Sequence, residues 1–264
     1  MRTRFLVVLL LLSLLPWLAR ADVLCDGVDD DANSGLSLLT FGSAATVTFV
    51  AVVRPTGAAA SGGTECYFGE SILVIYQNGG FSGDIGVFRN GNLGGLDRLC
   101  GFNYDGTTTV VLPATYTANT LYHLALVHGG GTLTFYVNGV SVGSSSSGNT
   151  FGTAGTVRLC AGLARVDNTS YQVLNGRVLE AKVYPVALTA GQIAAEAKSG
   201  VHNVITTTPS GLWLLNTCPM GATGDGFSFR DTSGNQRPLT GDDGGNATGL
   251  TCQGSSLSYQ WGVW

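Results

Sequence analysis

Acidic side chains are the first candidates for chemistry in this chain. Asp26, Asp29, Asp30 and Asp31 crowd one short segment, and hard oxygen ligands at such close spacing suit Ca2+. We expect Asp26, Asp29 and Asp30 to supply metal ligands. Successive strand residues point to opposite faces, so Asp29 and Asp30 converge on one ion only where a strand has ended. The competing role for these carboxylates is to anchor turns through backbone N–H groups. Four glutamates exist, Glu65, Glu70, Glu180 and Glu196. Glu65 and Glu70 are the one close pair among them and carry the alternative of a hydrolase with an atypical carboxylate pair; solvated loop carboxylates are the simpler role.

Other catalytic templates are missing. The sequence holds no G-x-S-x-G, HExxH, P-loop or dinucleotide fingerprint. His123 shares a strand face with Leu121, Ala125 and Val127, where a partly buried structural histidine is expected. His128 ends the same strand, and His202 follows a helix. No Ser, His and Asp are arranged by a recognisable motif. Non-catalytic binding is therefore the favoured function. Sugars are held by aromatic platforms, with amides fixing their orientation. Between Tyr67 and Asp105, aromatic residues and asparagines cluster in and beside loops. We expect Tyr76, Asn78, Phe81, Asn90, Asn103 and Tyr104 to form the ligand-binding set, with core packing as the competing role for Tyr76.

The cysteines point to an oxidising compartment. The six are Cys25, Cys66, Cys100, Cys160, Cys218 and Cys252, and an even count in an exported chain reads as disulfides. Even neighbours as close as Cys66 and Cys100 are too far apart for a CxxC redox or zinc motif. Proximity pairs Cys66 with Cys100 and Cys218 with Cys252, leaving Cys25 with Cys160; other connectivities and buried free thiols stay open. Export is written at the N-terminus as well. Arg2 and Arg4 precede an apolar run over residues 5–15, and Ala19-Arg20-Ala21 has the small residues a signal peptidase reads. Residues 1–21 are expected to be a signal peptide. The run is short of the roughly 20 residues that span a bilayer, so a secreted chain that is not membrane-embedded is expected.

Composition narrows the class further. Across 264 residues, 13 basic side chains face 17 acidic ones, for a net charge of −4. That argues against nucleic-acid binding, which draws on Lys and Arg to neutralise phosphates. A hydrophobic share of 44% with 11% charged residues is too apolar for disorder.

The elements that must position these residues are mostly strands. Residues 46–54 (TVTFVAVVR) are apolar on both faces, as a strand between two layers should be. Shorter candidates follow at 72–76, 85–89 and 108–112. Residues 121–128, 132–137 and 140–144 form a meander, its second turn marked by Asn138-Gly139, the strongest local hairpin signal. Further strands are expected at 156–161, 177–184, 211–215 and 227–230. One helix is convincing: Thr189 and Gln192 have capping-box spacing before residues 193–198, and Gly200 is placed for a C-terminal cap. The pattern predicts an all-β antiparallel sandwich of the jelly-roll kind with one short helix, a single domain over 22–264.

Three motifs carry a resemblance. Cys25-Asp26-Gly27-Val28-Asp29-Asp30 resembles the opening motif of laminin-G-like, concanavalin A-like jelly-roll domains, an aromatic followed by DGVDD. Residues 122–127 with 132–143 resemble the central hairpin of that family, and residues 176–193 its closing strand and helix. Cys25 replaces the usual aromatic, Tyr122 the usual tryptophan, and Leu179 stands where an acid is common beside Glu180. Leu212-Trp213-Leu214, then Asp231-Thr232-Ser233-Gly234-Asn235 and Leu239-Thr240-Gly241, resemble the strand and D-x-SGN turn that normally precede DGVDD. Here they come last. The resemblance implies a circularly permuted jelly roll in which residues 211–241 supply strands that normally open the domain; a truncated second repeat is the competing reading. It also implies Ca2+ at a sandwich edge. The E-x-D-x-E strand of the jelly-roll glucanases is absent. The expected function is a secreted lectin-like module for glycans or a glycosylated surface, calcium-assisted; an adhesion domain that binds extracellular protein is the alternative.

Overall fold

A computed structural model describes residues 21–26, 31–33, 46–59, 66, 69–77, 85–104, 109–147, 155–160, 173–199, 205–215, 228–236, 238–242 and 251–254. In chain order the strands are β1 (Ala21–Asp26), β2 (Asp31–Asn33), β3 (Val47–Pro55), β4 (Glu70–Gln77), β5 (Ile85–Leu93), β6 (Leu96–Tyr104), β7 (Thr109–Ala114), β8 (Tyr122–Gly129), β9 (Thr132–Val137), β10 (Val140–Ser146), β11 (Gly155–Leu159) and β12 (Asn175–Tyr184). Helix α1 (Ala190–Ser199) follows, then β13 (Gly211–Leu214), β14 (Ser228–Phe229), β15 (Leu239–Asp242) and β16 (Thr251–Gly254). They form two antiparallel sheets. The first runs β10-β9-β8-β3-β12-β1-β16, with β13 also on β12; the second runs β14-β15-β2-β11-β4-β5-β6-β7. This is the all-β jelly-roll sandwich that the strand pattern predicts. No helix among the described residues is long and apolar enough to cross a membrane.

The double-faced apolar pattern of β3 is explained by what covers it. Phe49, Ala51 and Val53 enter the core between the sheets, while Val50 lies on the outer face under α1 with Ala125, Tyr136, Tyr184 and Ile193. Thr189 and Gln192 bond reciprocally at the helix start: the Thr189 N–H donates to Gln192 Oε1 at 2.9 Å, and the Gln192 N–H to Thr189 Oγ1 at 3.3 Å. That is the capping box the spacing predicts. The Asn138-Gly139 turn is likewise as expected, with φ of 50° and 81°. A Cβ on Gly139 would also stand 3.0 Å from Ala194 Cα, so the glycine lets α1 close on the hairpin. Gly139→Ala should therefore lower stability by about 1–2 kcal/mol in urea unfolding; an unchanged midpoint would show that the turn relaxes freely.

Two disulfides join distant segments. Cys25 of β1 pairs with Cys160 after β11, linking the two sheets through the core, and Cys66 pairs with Cys100 of β6 on the outer face of the second sheet. Both are pairings that sequence proximity suggests. Cys218 lies outside the described residues, and Cys252 is described only as a backbone position in β16.

The long β5–β6 ladder differs from the sequence expectation. Residues 90–104 read as loop, yet Asn90 pairs with Arg98 and Ile85 with Asn103, closed by a tight turn at Gly94 and Gly95 with φ of 63° and 79°. Their polar strand residues hide the two-residue period. The C-terminal strands are built into both sheets. Along one side of β12, Gly211–Leu214 lies opposite residues 183 to 180, and residues 23–26 lie opposite 178 to 175, both strands running the same way. β13 and β1 thus stand end to end in one column of the sheet. Trp213 is fully buried in the inter-sheet core, and β15 pairs with β2.

Candidate functional site

The fold turns several candidate site residues inward. Asn90 is buried on β5, its Oδ1 accepting the Asn92 N–H at 2.7 Å. Asn103 is buried on β6 and donates through Nδ2 to Ser147 Oγ at 2.5 Å. Both amides bond within the protein, as buried polar groups must. Tyr104 is half-buried against the outer-face cluster of Phe88, Phe102 and the Cys66–Cys100 bridge. Tyr76 is a β4 backbone position opposite Thr156, and Asn78 and Phe81 lie outside the described residues. The surface assumed to join these six depended on loops that are, at Asn90 and Asn103, ladder.

Of the expected metal ligands, Asp26 is a backbone position in β1 opposite Asn175, while Asp29 and Asp30 lie outside the described residues. Among the described residues no group of three or more His, Cys, Asp or Glu could hold a metal ion.

The glutamates occupy structural positions. Glu70 is only 1% exposed; its Oε2 accepts from Arg89 Nη1 and from the Asn175 N–H, each at 3.1 Å. It is not the solvated loop carboxylate expected from sequence. Glu65 lies outside the described residues. Glu180 and Glu196 both engage Lys182, and Tyr184 donates to Glu196 at 3.0 Å, a buried cluster where α1 meets the first sheet. Burial, with the Glu196 charge beside it, pushes the Tyr184 hydroxyl well above the usual phenol range. His123 is buried on the same face, as its strand position predicts. Burial, helped by the Lys182 charge, lowers its pKa to about 4, so it is neutral at pH 7.

A different region offers an accessible site. A cavity of about 730 Å³ is lined by Ser228, Arg230, Asp231, Thr232, Gly234, Gln236 and Pro238. Its floor is a pinned turn. Asp231 is buried, and its Oδ1 accepts the N–H groups of Leu212 at 3.0 Å and Ser233 at 2.8 Å. The Thr232 N–H donates to the Leu212 carbonyl at 2.8 Å, and Asn235 Nδ2 to the Ser210 carbonyl at 3.0 Å. Gly234 and Gln236 take positive φ, 94° and 54°, which turns the chain back toward β15. Because Leu212 flanks the core-buried Trp213, the turn is tied to the rigid centre of the molecule. Ser228, Arg230, Thr232 and Gln236 remain exposed around the cavity.

This volume lies in the range of small-ligand sites. Two hydroxyls, an amide and a guanidinium offer donors and acceptors of the kind sugar hydroxyls need, beside the Pro238 ring. The Asp231 carboxylate is committed to backbone N–H groups, so the lining holds no pair of available carboxylates for acid–base cleavage. In the sequence, Asp231 to Asn235 stands out only by its resemblance to a D-x-SGN turn. The signal it held was the run of exposed polar residues on both sides.

The comparisons agree with this fold. Residues 26–194 match the family model described as the Concanavalin A-like lectin/glucanases superfamily, of the laminin G type, and the chain belongs to that family. Among solved structures, a heptameric SAP-like pentraxin from Limulus polyphemus is similar at 13% identity and TM-score 0.52, over 76% of this chain and 98% of that one. A Bacteroides ovatus protein provisionally described as carbohydrate-binding is similar at 14% identity and TM-score 0.56, over 90% of this chain and 62% of that one. The enzymatically active domain of tailspike protein 2 from bacteriophage CBA120 has 16% identity and TM-score 0.52, over 70% of this chain and 28% of that one. At such identities the likeness establishes the fold. No curated protein matches the chain by sequence.

Proposed function

We propose that this protein is a secreted, non-catalytic binding module for glycans or a glycosylated surface, with the cavity around Arg230, Thr232 and Gln236 as its ligand site. The observation that carries the reading is that polar cavity, held on a pinned turn of a lectin-type fold. Rigid presentation lowers the entropy lost on binding. Glycan-array binding by the purified protein, repeated with Arg230→Ala and Gln236→Ala, is the test. Each substitution should weaken binding by about tenfold, the scale of a lost hydrogen bond to a charged or well-placed polar group. Binding that both variants retain would move the site elsewhere. Calcium at Asp26, Asp29 and Asp30 belongs to the same reading, and a chelator arm tests it: full binding in the chelator removes calcium from the account.

On this reading residues 22–264 are one permuted jelly-roll domain behind a 1–21 signal peptide. The end-to-end placement of β13 and β1 against β12 supports the permutation. The intact mass of the exported protein tests cleavage after Ala21. A second reading, docking of an extracellular protein, draws on Val140 and Val142, exposed at 67% and 43% on the edge strand β10. Binding to protein probes alone on the same array would favour it.

A further inference from the structure

We propose that β10 is a self-pairing edge: a second copy of this chain adds its own β10 there, antiparallel across a two-fold axis, and joins the two first sheets into one. Unpaired N–H and C=O groups along a sheet edge recruit other strands, so edges are normally blunted by shortness, proline or charge. Three of the four sheet ends among the described strands follow that rule. β14 has two residues, β16 has four, and β7 carries the exposed Pro113. β10 does not. Its seven residues, VSVGSSS, hold neither charge nor proline, and all but Gly143 are exposed.

The hydrogen-bond phase shows which groups are open. The Ser147 N–H donates to the Gly131 carbonyl at 2.8 Å, and Ser146, Ser145 and Ser144 lie opposite Thr132, Leu133 and Thr134. Bonded and non-bonded pairs alternate along an antiparallel ladder. Ser145 therefore bonds to β9, while Ser144 and Ser146 send their N–H and C=O groups away from it. On that side the Ser146 carbonyl meets only the Ser145 hydroxyl, at 3.4 Å, and β9 is the one strand that β10 pairs with among the described residues.

Symmetry and charge favour a second copy as the occupant. A two-fold axis sets a strand antiparallel to itself, so the same donors and acceptors serve both sides. The chain carries a net charge of −4, and like-charged copies repel; an uncharged strip is where they can meet without opposing charges. Val142 has no partner on β9, because the register shifts between Ser141 and Gly143. It stands exposed with Val140 on the same edge, apolar surface that such a contact would cover. The bulge bends the strand and confines flat pairing to residues 143–146, a contact at the small end of specific interfaces. A dissociation constant of about 10–100 µM is expected on that scale. The dimer would carry two ligand cavities, and on a multivalent surface two weak sites bind more tightly than one. This inference goes beyond the glycan reading and does not rest on it.

Sedimentation equilibrium of the full protein from about 1 to 300 µM, a span that brackets the expected constant, should show a reversible monomer–dimer equilibrium. Amide hydrogen exchange at Ser144 and Ser146 should slow as the concentration rises. Ser144→Pro removes an N–H that faces the edge and no bond to β9, a position where an edge strand tolerates proline. It should weaken the dimer by about tenfold or more and leave the urea midpoint unchanged. Val142→Lys places a like charge on both copies and should weaken the dimer similarly; it keeps the test open if Ser144→Pro fails to fold. A monomer throughout the concentration range overturns the proposal. So does a dimer that both variants leave intact, which would place the contact on another surface. A monomer whose binding to an extracellular protein probe is lost in Ser144→Pro also overturns it and gives the edge to a different partner.

Discussion

Replacing Arg89 by alanine should lower the unfolding free energy by about 3–5 kcal/mol, the scale set by removing one partner of a buried ion pair. Arg89 is fully buried on β5 and joins segments far apart in sequence. Its Nη1 donates to the Thr56 carbonyl at 2.9 Å, the Asn175 carbonyl at 3.0 Å and Glu70 Oε2 at 3.1 Å, while Nη2 donates to the Gly57 carbonyl. Nε donates to the Tyr116 hydroxyl, and the guanidinium lies 5.2 Å from the centre of that ring. Burial, reinforced by a hydrogen bond to Asp97, raises the Tyr116 hydroxyl above the usual phenol range, so it stays protonated. Truncation strands the Glu70 carboxylate in the protein interior and removes the guanidinium from three carbonyls, of which that of Asn175 keeps the Thr56 N–H at 2.9 Å. Guanidinium unfolding of Arg89→Ala checks the magnitude. The double variant Arg89→Met with Glu70→Leu should recover much of the loss, because it removes the stranded charge as well. A loss below about 1 kcal/mol for Arg89→Ala would mean that the network is dispensable.

The second large effect is set by pH. His123 has a folded pKa of about 4 against 6.5 when unfolded, chiefly because burial disfavours the imidazolium and secondly because of the Lys182 charge. Neither ring nitrogen has a hydrogen-bond partner among the described residues, so no acceptor offsets that penalty. Register places His123 opposite Val52, with Glu180 beyond it on β12; Lys182 and Glu196 meet on the same face beneath α1. The unfolded chain takes up the proton first as pH falls. The contribution from neutral His123 is therefore complete above about pH 6.5 and declines through the window down to about pH 4. A shift of this size corresponds to roughly 3 kcal/mol. Urea unfolding at pH 7 and pH 4 should show a fall that is smaller by about that amount in His123→Leu. Parallel profiles for the two proteins would assign the acid sensitivity to the carboxylates instead.

Legibility from sequence followed the range of the interaction. Asn138-Gly139 and the Thr189–Gln192 box are local, complete within a few residues, and the structure contains both. The strand pattern and the DGVDD-like motifs led to the fold class and the family. Burial was harder to read. Asn90 and Asn103 have the composition of loop residues, and only their pairing with Arg98 and Ile85 makes them ladder positions. Glu70 meets Arg89 across 19 residues and Asn175 across 105, separations no local pattern encodes.

The chain alone pointed to two antiparallel layers and one capped helix, because alternation, turn chemistry and capping depend on neighbours along the backbone. Tertiary structure decided which polar groups face water. It pinned Asp231 in the turn that lines the polar cavity, set Arg54 opposite Arg177 and buried His123. Those outcomes depend on which strand lies across from which, and sheet register joins residues whose separation in sequence leaves no periodic trace.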